Sequence, residues 1–440
     1  MKRTMRQRGS ALALFASVAV AAAACGGSSG GSSGGGSSSG NKASAPGVTA
    51  DSVLVGAHTP LTGVAAPGYS QIAPASEAYF KYVNDNGGIN GRKITYSYKD
   101  DVYNPTNTAN VVRQLVLQDK VYAMLGGLGT PTHSAVIDFL NTSKVPDLFV
   151  ESGALTWNQP KKYPYTFGWQ PDYETEGKIL GEYVKQHFAG KKIGLFLQND
   201  DFGENGEKGV DYFIKDQVVS RQRYQSGNTD VGPQMAALQA SGAEVIIGFM
   251  TPSYTALTLL GGLKLGYKPQ WVDSAVAVEP QVLDAALQRF SKGAAGGSLL
   301  ENTITLNYLP DVSDLNDPWT QLFKKVHDKY IPSAPFSSYT VYGMSTAYTF
   351  AQALKAAGQN PTRESLIKAV EANKFNPNPG LVPFRFSKDD HSGYNGSVVV
   401  QVQGGKLKEL SKVFTTDHGS SAPKESAKVN DKPPANGLPG

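Results

Sequence analysis

Small and hydroxyl-bearing residues recur where a short apolar run gives way to a helical pattern. These junctions are HTPLTG (58–63), GGLGTPT (126–132), ESGALT (151–156), NDDFG (199–203) and MTPSYT (250–255). A helix N-terminus presents free N–H groups and partial positive charge, so such junctions suit a carboxylate or phosphate. Gly129 would let a ligand approach the backbone, and Thr130 could donate a hydroxyl hydrogen bond. Equally, Thr130 could only cap the helix that follows.

The sequence offers little support for catalysis or metal binding. The six histidines lack metal-ligand spacing, and the chain has no HExxH, paired CxxC, Walker or GxSxG motif. The pairs Asp100-Asp101 and Asp200-Asp201 could perform acid–base chemistry. Acids between a strand and a helix more often cap the helix and complement its dipole, and we favour that interpretation. The sequence therefore predicts no catalytic residues, no metal site and no cofactor.

The only cysteine, Cys25, lies between an apolar run and a Gly/Ser tract. Residues 2–8 carry four basic groups and no acid, and residues 11–24 are apolar apart from one serine. This run is too short to cross a bilayer core of about 30 Å, and the pattern predicts a signal peptide over residues 1–24. Ala22-Ala23-Ala24-Cys25 resembles a bacterial lipobox, which predicts lipidation of Cys25 and a flexible tether over residues 25–47. An ordinary cleavage site is the alternative.

Charge and composition limit the possible partners and the domain organisation of the rest of the chain. The formal net charge is +4, and the basic groups of the leader account for all of it. The charge therefore gives no indication of a nucleic-acid partner. Residues 416–440 lack aromatic residues and are rich in Pro, Ser, Lys and Gly, which predicts a disordered tail. The remaining body is too long for one common core and predicts two lobes.

Within that body, short apolar runs alternate with segments of helical period. Apolar runs begin at residues 53, 94, 193, 245 and 270, and helical patterns cover 105–119, 131–143, 173–188 and 254–265. This alternation predicts an α/β fold with parallel sheets covered on both faces. It restarts after the connector KKYPYTFGWQPDY, which indicates a second sheet. Ligand sites of such folds lie at the carboxyl ends of the strands.

Four segments, in one order, resemble a known family. They are VGAHTPLTGVAAPGYSQ (55–71), NDNGGINGRKITYSYKDD (84–101), RQLVLQDKVYAMLGGLGT (113–130) and KKIGLFLQNDDFG (191–203). They are similar to the substrate-binding proteins of ABC importers, in particular the leucine/isoleucine/valine-binding proteins, over about residues 51–410. The resemblance implies a type I periplasmic-binding-protein fold: two doubly wound parallel-sheet lobes, joined by three hinge crossings, close over a ligand.

The resemblance also places the lobes. Lobe 1 would comprise residues 51–167 and 301–387, and lobe 2 would comprise residues 171–297 and 396–415. The chain would cross between them near residues 167–171, 297–301 and 387–396.

Ligand-binding residues follow from the same resemblance. Thr130 matches the hydroxyl that holds a ligand carboxylate, and other positions match the site at Tyr69, Gly129, Ser152, Gly153, Ala154, Phe202 and Tyr254. The acid that holds the ligand's ammonium would fall on Ala275, with Asp273 two residues earlier. Either a small shift brings Asp273 into the site, or the ligand has no ammonium.

The implied function is that of an extracellular, lipid-anchored solute-binding protein. It would be a monomer that captures a branched-chain or related amino acid, an amide or a small carboxylate and delivers it to an ABC permease. It would contact the membrane through the lipid anchor only. A sensory binding protein acting through a membrane partner and, less readily, a secreted hydrolase are the alternatives.

Overall fold

The computed structural model describes residues 40–440. The predicted signal peptide, Cys25 and the tether up to residue 39 lie outside the described residues. The end of the predicted tether, residues 40–47, is not free: the buried Arg92 guanidinium donates to the Lys42 carbonyl at 2.9 Å and the Thr49 carbonyl at 2.7 Å. Ser44 also donates to the Pro361 carbonyl at 2.7 Å. These hydrogen bonds hold the segment against the folded body.

Thirteen strands occur among residues 40–440 and form two sheets. They are β1 (Ser52–Thr59), β2 (Lys93–Asp100), β3 (Ala123–Leu125), β4 (Asp147–Val150), β5 (Thr166–Gly168), β6 (Ile193–Gln198), β7 (Val218–Tyr224), β8 (Val245–Phe249), β9 (Gln270–Asp273), β10 (Ile304–Asn307), β11 (Gly396–Gln403), β12 (Lys406–Thr415) and β13 (Lys424–Ser426). The first sheet is parallel, in the order β2-β1-β3-β4-β5. The second has the order β13-β12-β11-β10-β9-β8-β6-β7, parallel from β7 to β10 and antiparallel from β10 to β13.

Helices cover both sheets. Those of the described chain are α1 (Ala66–Tyr69), α2 (Ile72–Asp85), α3 (Pro105–Arg113), α4 (Thr130–Ser134), α5 (Ile137–Thr142), α6 (Tyr173–His187), α7 (Asp201–Ile214), α8 (Gly232–Ala240), α9 (Pro252–Leu265), α10 (Pro280–Ser291), α11 (Pro318–Tyr330), α12 (Ser338–Ala356) and α13 (Arg363–Glu371). The predicted helix at 131–143 is divided into α4 and α5, because Val136 leaves helical geometry at φ −126° and ψ −10°.

The sequence of each strand explains its place in its sheet. The central strands β4, β6 and β8 are buried along their whole length, whereas the edge strands β2 and β7 are partly exposed. Continuous apolar runs are typical of parallel strands that helices cover on both faces. The predicted α/β fold with two parallel-sheet lobes is therefore confirmed.

One predicted lobe boundary is wrong. β10 pairs with β9 and β11 in the second sheet, so residues 301–307 belong to lobe 2 and the second crossing follows Asn307. Gly297–Leu300 is a short helical turn within lobe 2, where the Gly297 amide donates to Asp284 Oδ1 on α10 at 2.6 Å. The buried Ile304 and Leu306 side chains explain the difference, because they complete the core of lobe 2.

The three crossings run side by side. The Gly168 amide donates to the His391 carbonyl at 3.0 Å, and the Tyr394 amide donates to the Trp169 carbonyl at 2.9 Å, so the first and third crossings are bonded to each other. The Tyr308 ring of the second crossing lies 5.7 Å from Tyr394 and 6.4 Å from Trp169, measured between ring centroids. A buried aromatic cluster thus ties the three chain segments at the hinge.

The predicted disorder of residues 416–440 is also wrong. β13 extends the second sheet, and the chain then returns to lobe 1, where Trp319 Nε1 donates to the Asp431 carbonyl and Tyr79 Oη to the Gly437 carbonyl, both at 2.8 Å. The segment cannot form a core of its own, but aromatic donors of lobe 1 fix its backbone. It therefore makes a further connection between the lobes.

Candidate functional site

A cavity lies between the lobes at the carboxyl ends of their strands. It encloses about 850 Å³, including the part open to solvent. Lobe 1 contributes the loop after β3, the residue after β4 and the first turn of α12; lobe 2 contributes the first turns of α6 and α7 and the loop after β9. We call this space the interlobe cavity. Of the predicted site residues, Tyr69, Gly129 and Phe202 line it.

Backbone geometry explains the loop after β3. Gly129 has φ +103°, and a Cβ there would collide with the Tyr103 ring and with Thr132 Oγ1. Only glycine combines this conformation with the close approach of both neighbours. The loop therefore brings the backbone itself, rather than a side chain, to the cavity wall.

The predicted carboxylate-binding group lies behind the cavity wall. Thr130 Oγ1 and Ser152 Oγ are 2.7 Å apart, and the Ala154 amide donates to Ser152 Oγ at 3.3 Å. Both hydroxyls are buried, and neither residue lines the cavity, nor do Gly153 and Ala154. Thr130 is the first residue of α4, whose N-cap is Gly129, so Thr130 is not the helix cap.

Tyr173 stands between this group and the cavity. Its amide donates to the Gly153 carbonyl at 2.7 Å, and its ring lines the cavity. Burial raises the pKa of Tyr173 to about 12, although the Gly153 amide and the Ser152 and Thr130 hydroxyls favour its ionised form. In this conformation the phenol occupies the side of Thr130 and Ser152 that a ligand carboxylate would approach.

Aromatic rings form part of the cavity wall. Phe202 packs on Tyr173 with 4.3 Å between ring centroids, and Tyr69 meets Tyr339 edge-to-face at 5.8 Å. Asp200 fixes Phe202 at the start of α7, because its carboxylate accepts a hydrogen bond from the Phe202 amide at 3.0 Å. The interpretation of Asp200 as a helix cap is therefore confirmed.

The structure places Tyr254 and Asp273 away from the interlobe cavity. Tyr254 stacks on Tyr224 at 3.9 Å and accepts a hydrogen bond from the Gly227 amide at 2.8 Å, within the core of lobe 2. Thr251, three residues earlier, lines the cavity instead. Asp273 is fully buried at the end of β9, and neither carboxylate oxygen has a partner among residues 40–440. Burial raises its pKa well above the ordinary value, so Asp273 as placed is no counter-charge for an ammonium.

Sequence reasoning missed three polar groups of the cavity wall. Glu151 and Glu279 are its carboxyl groups, and Gln170 is its amide from the first crossing. Glu279 caps α10 by accepting from the Val282 amide at 2.7 Å, as its position before Pro280 indicates. Glu151 is the first residue of the motif ESGALT, and the sequence prediction placed the next three residues, Ser152, Gly153 and Ala154, in the site instead. The strand-end position of Glu151 was the available signal.

A buried chain of charged groups supports the lobe 1 loops from below. Asp101 Oδ2, His58, His133 and Asp147 Oδ2 follow one another with contacts of 2.8 Å, 3.0 Å and 2.8 Å, and all four side chains are buried. The two carboxylates contact the outer ring nitrogens, His58 Nδ1 and His133 Nε2, and the two rings contact each other through His58 Nε2 and His133 Nδ1. Burial lowers the pKa of His58 and so favours its neutral form.

Two lobes, a three-stranded hinge and a cavity at the facing strand ends define a protein of the two-lobed ligand-binding class. A family model described as periplasmic binding protein matches residues 52–406. The chain belongs to the periplasmic binding protein family, and the resemblance seen in its sequence is confirmed. This is a family of binding proteins, not of enzymes.

Individual relatives agree with that assignment. Leu/Ile/Val-binding protein homolog 1 of Brucella suis is 25% identical over 370 residues, which cover 78% of this chain and 92% of the relative. A branched-chain amino acid ABC transporter protein from Thermus thermophilus, with bound valine, has a TM-score of 0.72 at 20% identity, covering 83% and 97% of the two chains. A fatty acid ABC transporter substrate-binding protein from Thermomonospora curvata has a TM-score of 0.73 at 22% identity, covering 85% and 95%.

Among residues 40–440, no helix combines the length and apolar character needed to cross a membrane. The same part of the chain contains no cluster of three or more His, Cys, Asp or Glu side chains arranged to hold a metal ion.

Proposed function

We propose that this protein is an extracytoplasmic solute-binding lipoprotein that captures a small ligand in the interlobe cavity and delivers it to an ABC permease. The observation that carries the proposal is the position of the cavity: it lies at the carboxyl ends of the strands, and both lobes line it. Closure of the lobes would bury the ligand, and no bond is made or broken. Members of the branched-chain amino acid group and small amides or carboxylates are the ligand classes that its relatives suggest.

A ligand screen by thermal unfolding tests the binding function. A ligand at a hundred times its Kd stabilises the folded protein by about 2.7 kcal/mol, which is a readily detected shift. For a compound that shifts the melting temperature, small-angle scattering should show a smaller radius of gyration with ligand than without. Phe202→Ala should weaken binding because Phe202 lines the cavity, whereas Tyr254→Phe should retain it. Turnover of a bound compound would instead support a hydrolase.

Attachment to the membrane is proposed from the lipobox-like sequence ending at Cys25. Cys25→Ser should release the protein into the medium or leave its precursor uncleaved. Unchanged membrane retention would contradict the anchor. A single acyl chain binds membranes only marginally, so stable retention requires more than one chain at this terminus.

Sensing through a membrane partner is the second candidate, because ligand-induced closure would serve a receptor as well as a permease. Reconstituted permease and ATPase subunits would distinguish the two. Ligand-loaded protein should stimulate ATP hydrolysis by the importer, and a lack of stimulation would favour the sensory role.

A further inference from the structure

Glu151 is the unpaired acid of the interlobe cavity. Its side chain is 8% exposed, it lines the cavity, and it accepts no hydrogen bond from residues 40–440. Gly126 makes room for it: a Cβ at Gly126 would lie 2.6 Å from Glu151 Oε1. A buried carboxyl without a partner is unfavourable. Gly126 therefore leaves space beside a carboxyl group that forms no hydrogen bond with residues 40–440.

The surroundings of Glu151 favour a positive charge. Its cavity neighbours include the rings of Tyr173, Tyr308 and Tyr342, and no Lys, Arg or His of residues 40–440 lines the cavity. Aromatic faces and carboxylates both attract cations. The hydroxyls of Thr130 and Ser152, which an anionic ligand would need, are bonded to each other outside the cavity wall.

Gln170 adds a second unsatisfied group. Its Oε1 accepts from Tyr342 Oη at 3.2 Å, but its buried Nε2 has no partner among the described residues. Because Val150 pairs with Gly168, the residues that follow β4 and β5 extend side by side towards the cavity. The wall therefore offers an acceptor at Glu151 and a free donor at Gln170.

We propose, resting on the binding function proposed above, that Glu151 selects a ligand whose buried end carries a positively charged amine, next to an oxygen that accepts from Gln170. Such an amine donates to the Glu151 carboxylate and packs against the tyrosine faces. Free carboxylic acids are disfavoured, because their anionic end would face Glu151 with no basic residue to offset it. Glu151 of lobe 1, rather than Asp273 of lobe 2, holds the charge of the ligand.

The proposal predicts a definite pH dependence. Burial raises the pKa of Glu151 well above its ordinary value, so the empty cavity holds the carboxyl protonated over part of the accessible range. An amine binds the ionised form and releases that proton, so its affinity rises with pH until Glu151 is ionised in the empty protein. A carboxylate ligand sharing the proton would show the opposite slope.

Matched pairs of compounds test the proposal. The probes are primary amines with a neighbouring amide oxygen, such as leucinamide and phenylalaninamide, each compared with the carboxylate of the same skeleton that lacks the amine. At least one amine is expected to bind at least tenfold more tightly than its matched acid, with affinity rising between pH 5 and pH 7, below the ordinary α-amino pKa of about 7.7–8.0. Acids that bind as tightly as the amines, or no binding by any amine, would overturn the proposal.

Two variants assign the effect to Glu151. Glu151→Gln should lower amine affinity at least tenfold and flatten its pH profile, while the neutral amides of the same skeletons lose less. Asp273→Asn, which changes an equally buried acid outside the cavity, should leave amine affinity within about twofold. An Asp273→Asn variant that loses amine binding would also overturn the proposal. If acids or neutral compounds bind and close the lobes, only the charge selection fails; if no compound of any charge binds, the proposed function fails as well.

Discussion

Two buried acid sites, one in each lobe, differ in their partners. In lobe 1, Asp101 and Asp147 are buried against His58 and His133, in a chain of contacts under the loops after β1 and β3. In lobe 2, Asp273 is equally buried and has no partner among the described residues, and burial raises its pKa well above the ordinary value. Contacts with the histidines thus offset the cost of burying the first two carboxyl groups, whereas burial without a partner favours the protonated form of Asp273.

The site with paired groups supports a loop of the cavity wall. Gly127 packs closely against the two histidines, since a Cβ there would lie 2.7 Å from His58 Nε2, and the chain of histidines and aspartates therefore supports the loop that carries Gly129. The same change, aspartate to asparagine, should therefore have opposite effects at Asp147 and at Asp273.

Asp147→Asn tests the buried acid that contacts His133 and has the largest expected effect. It removes a buried carboxyl oxygen that contacts His133 Nε2 and accepts from Thr166 Oγ1, both at 2.8 Å. Breaking a buried pair by removing one partner costs about 3–5 kcal/mol of unfolding free energy. Urea unfolding at pH 7 measures it. A loss below about 1 kcal/mol would mean that the contact between His133 and Asp147 adds little to stability.

Asp273→Asn tests the buried acid that has no partner among the described residues. A folded-state pKa above the unfolded value means that folding takes up a proton, so the wild type loses about 1.4 kcal/mol per pH unit between those two pKa values. Asparagine avoids this loss, so the variant should be more stable than the wild type at pH 7. Its advantage should shrink as the pH falls towards 4. Destabilisation at pH 7 would indicate that Asp273 is ionised and paired.

How far the sequence predicts this molecule depends on the range of the interactions. The strands and most helices follow from local periodicity, because burial on both faces demands continuous apolar runs. The hinge crossings came only from the family resemblance, and the second of them lies later in the chain than expected, after Asn307. The cavity-facing side chains depend on register: Thr251 reaches the cavity and Tyr254, three residues on, enters the core.

Distant partners account for the remaining errors. The tail from residue 416 is polar and locally featureless, but Trp319 and Tyr79 bind its carbonyl groups. The family resemblance places the acid of the site in a loop of lobe 2 near Asp273, whereas the unpaired cavity acid is Glu151 of lobe 1. Neither contact leaves a pattern in the local sequence.

His58 should make the unfolding free energy depend on pH with the opposite sign to that of Asp273. Burial lowers its pKa below 6.5, so the folded protein holds the ring neutral. The resulting stability is present above pH 6.5 and is lost as the pH falls through the lowered value, when a charged His58 ring would face the His133 ring with 3.0 Å between Nε2 and Nδ1. Unfolding free energy should fall more steeply below pH 6 in the wild type than in His58→Gln, which cannot titrate there. Parallel profiles would remove His58 as the cause.

Thr130→Ala has the smallest expected effect and tests whether the hydroxyl groups of Thr130 and Ser152 contact the ligand. The substitution removes the hydroxyl that bonds Ser152, which costs about 1 kcal/mol of unfolding free energy. Affinity for a cavity ligand should hardly change, because Tyr173 separates Thr130 from the cavity. Thr130→Ser keeps the hydroxyl and serves as the control, since it should retain both properties apart from a lost methyl contact. If Thr130→Ala instead weakens binding by about 1.5–3 kcal/mol, as for a hydrogen bond to a charged group, Tyr173 must move aside on binding and expose an anion site in lobe 1.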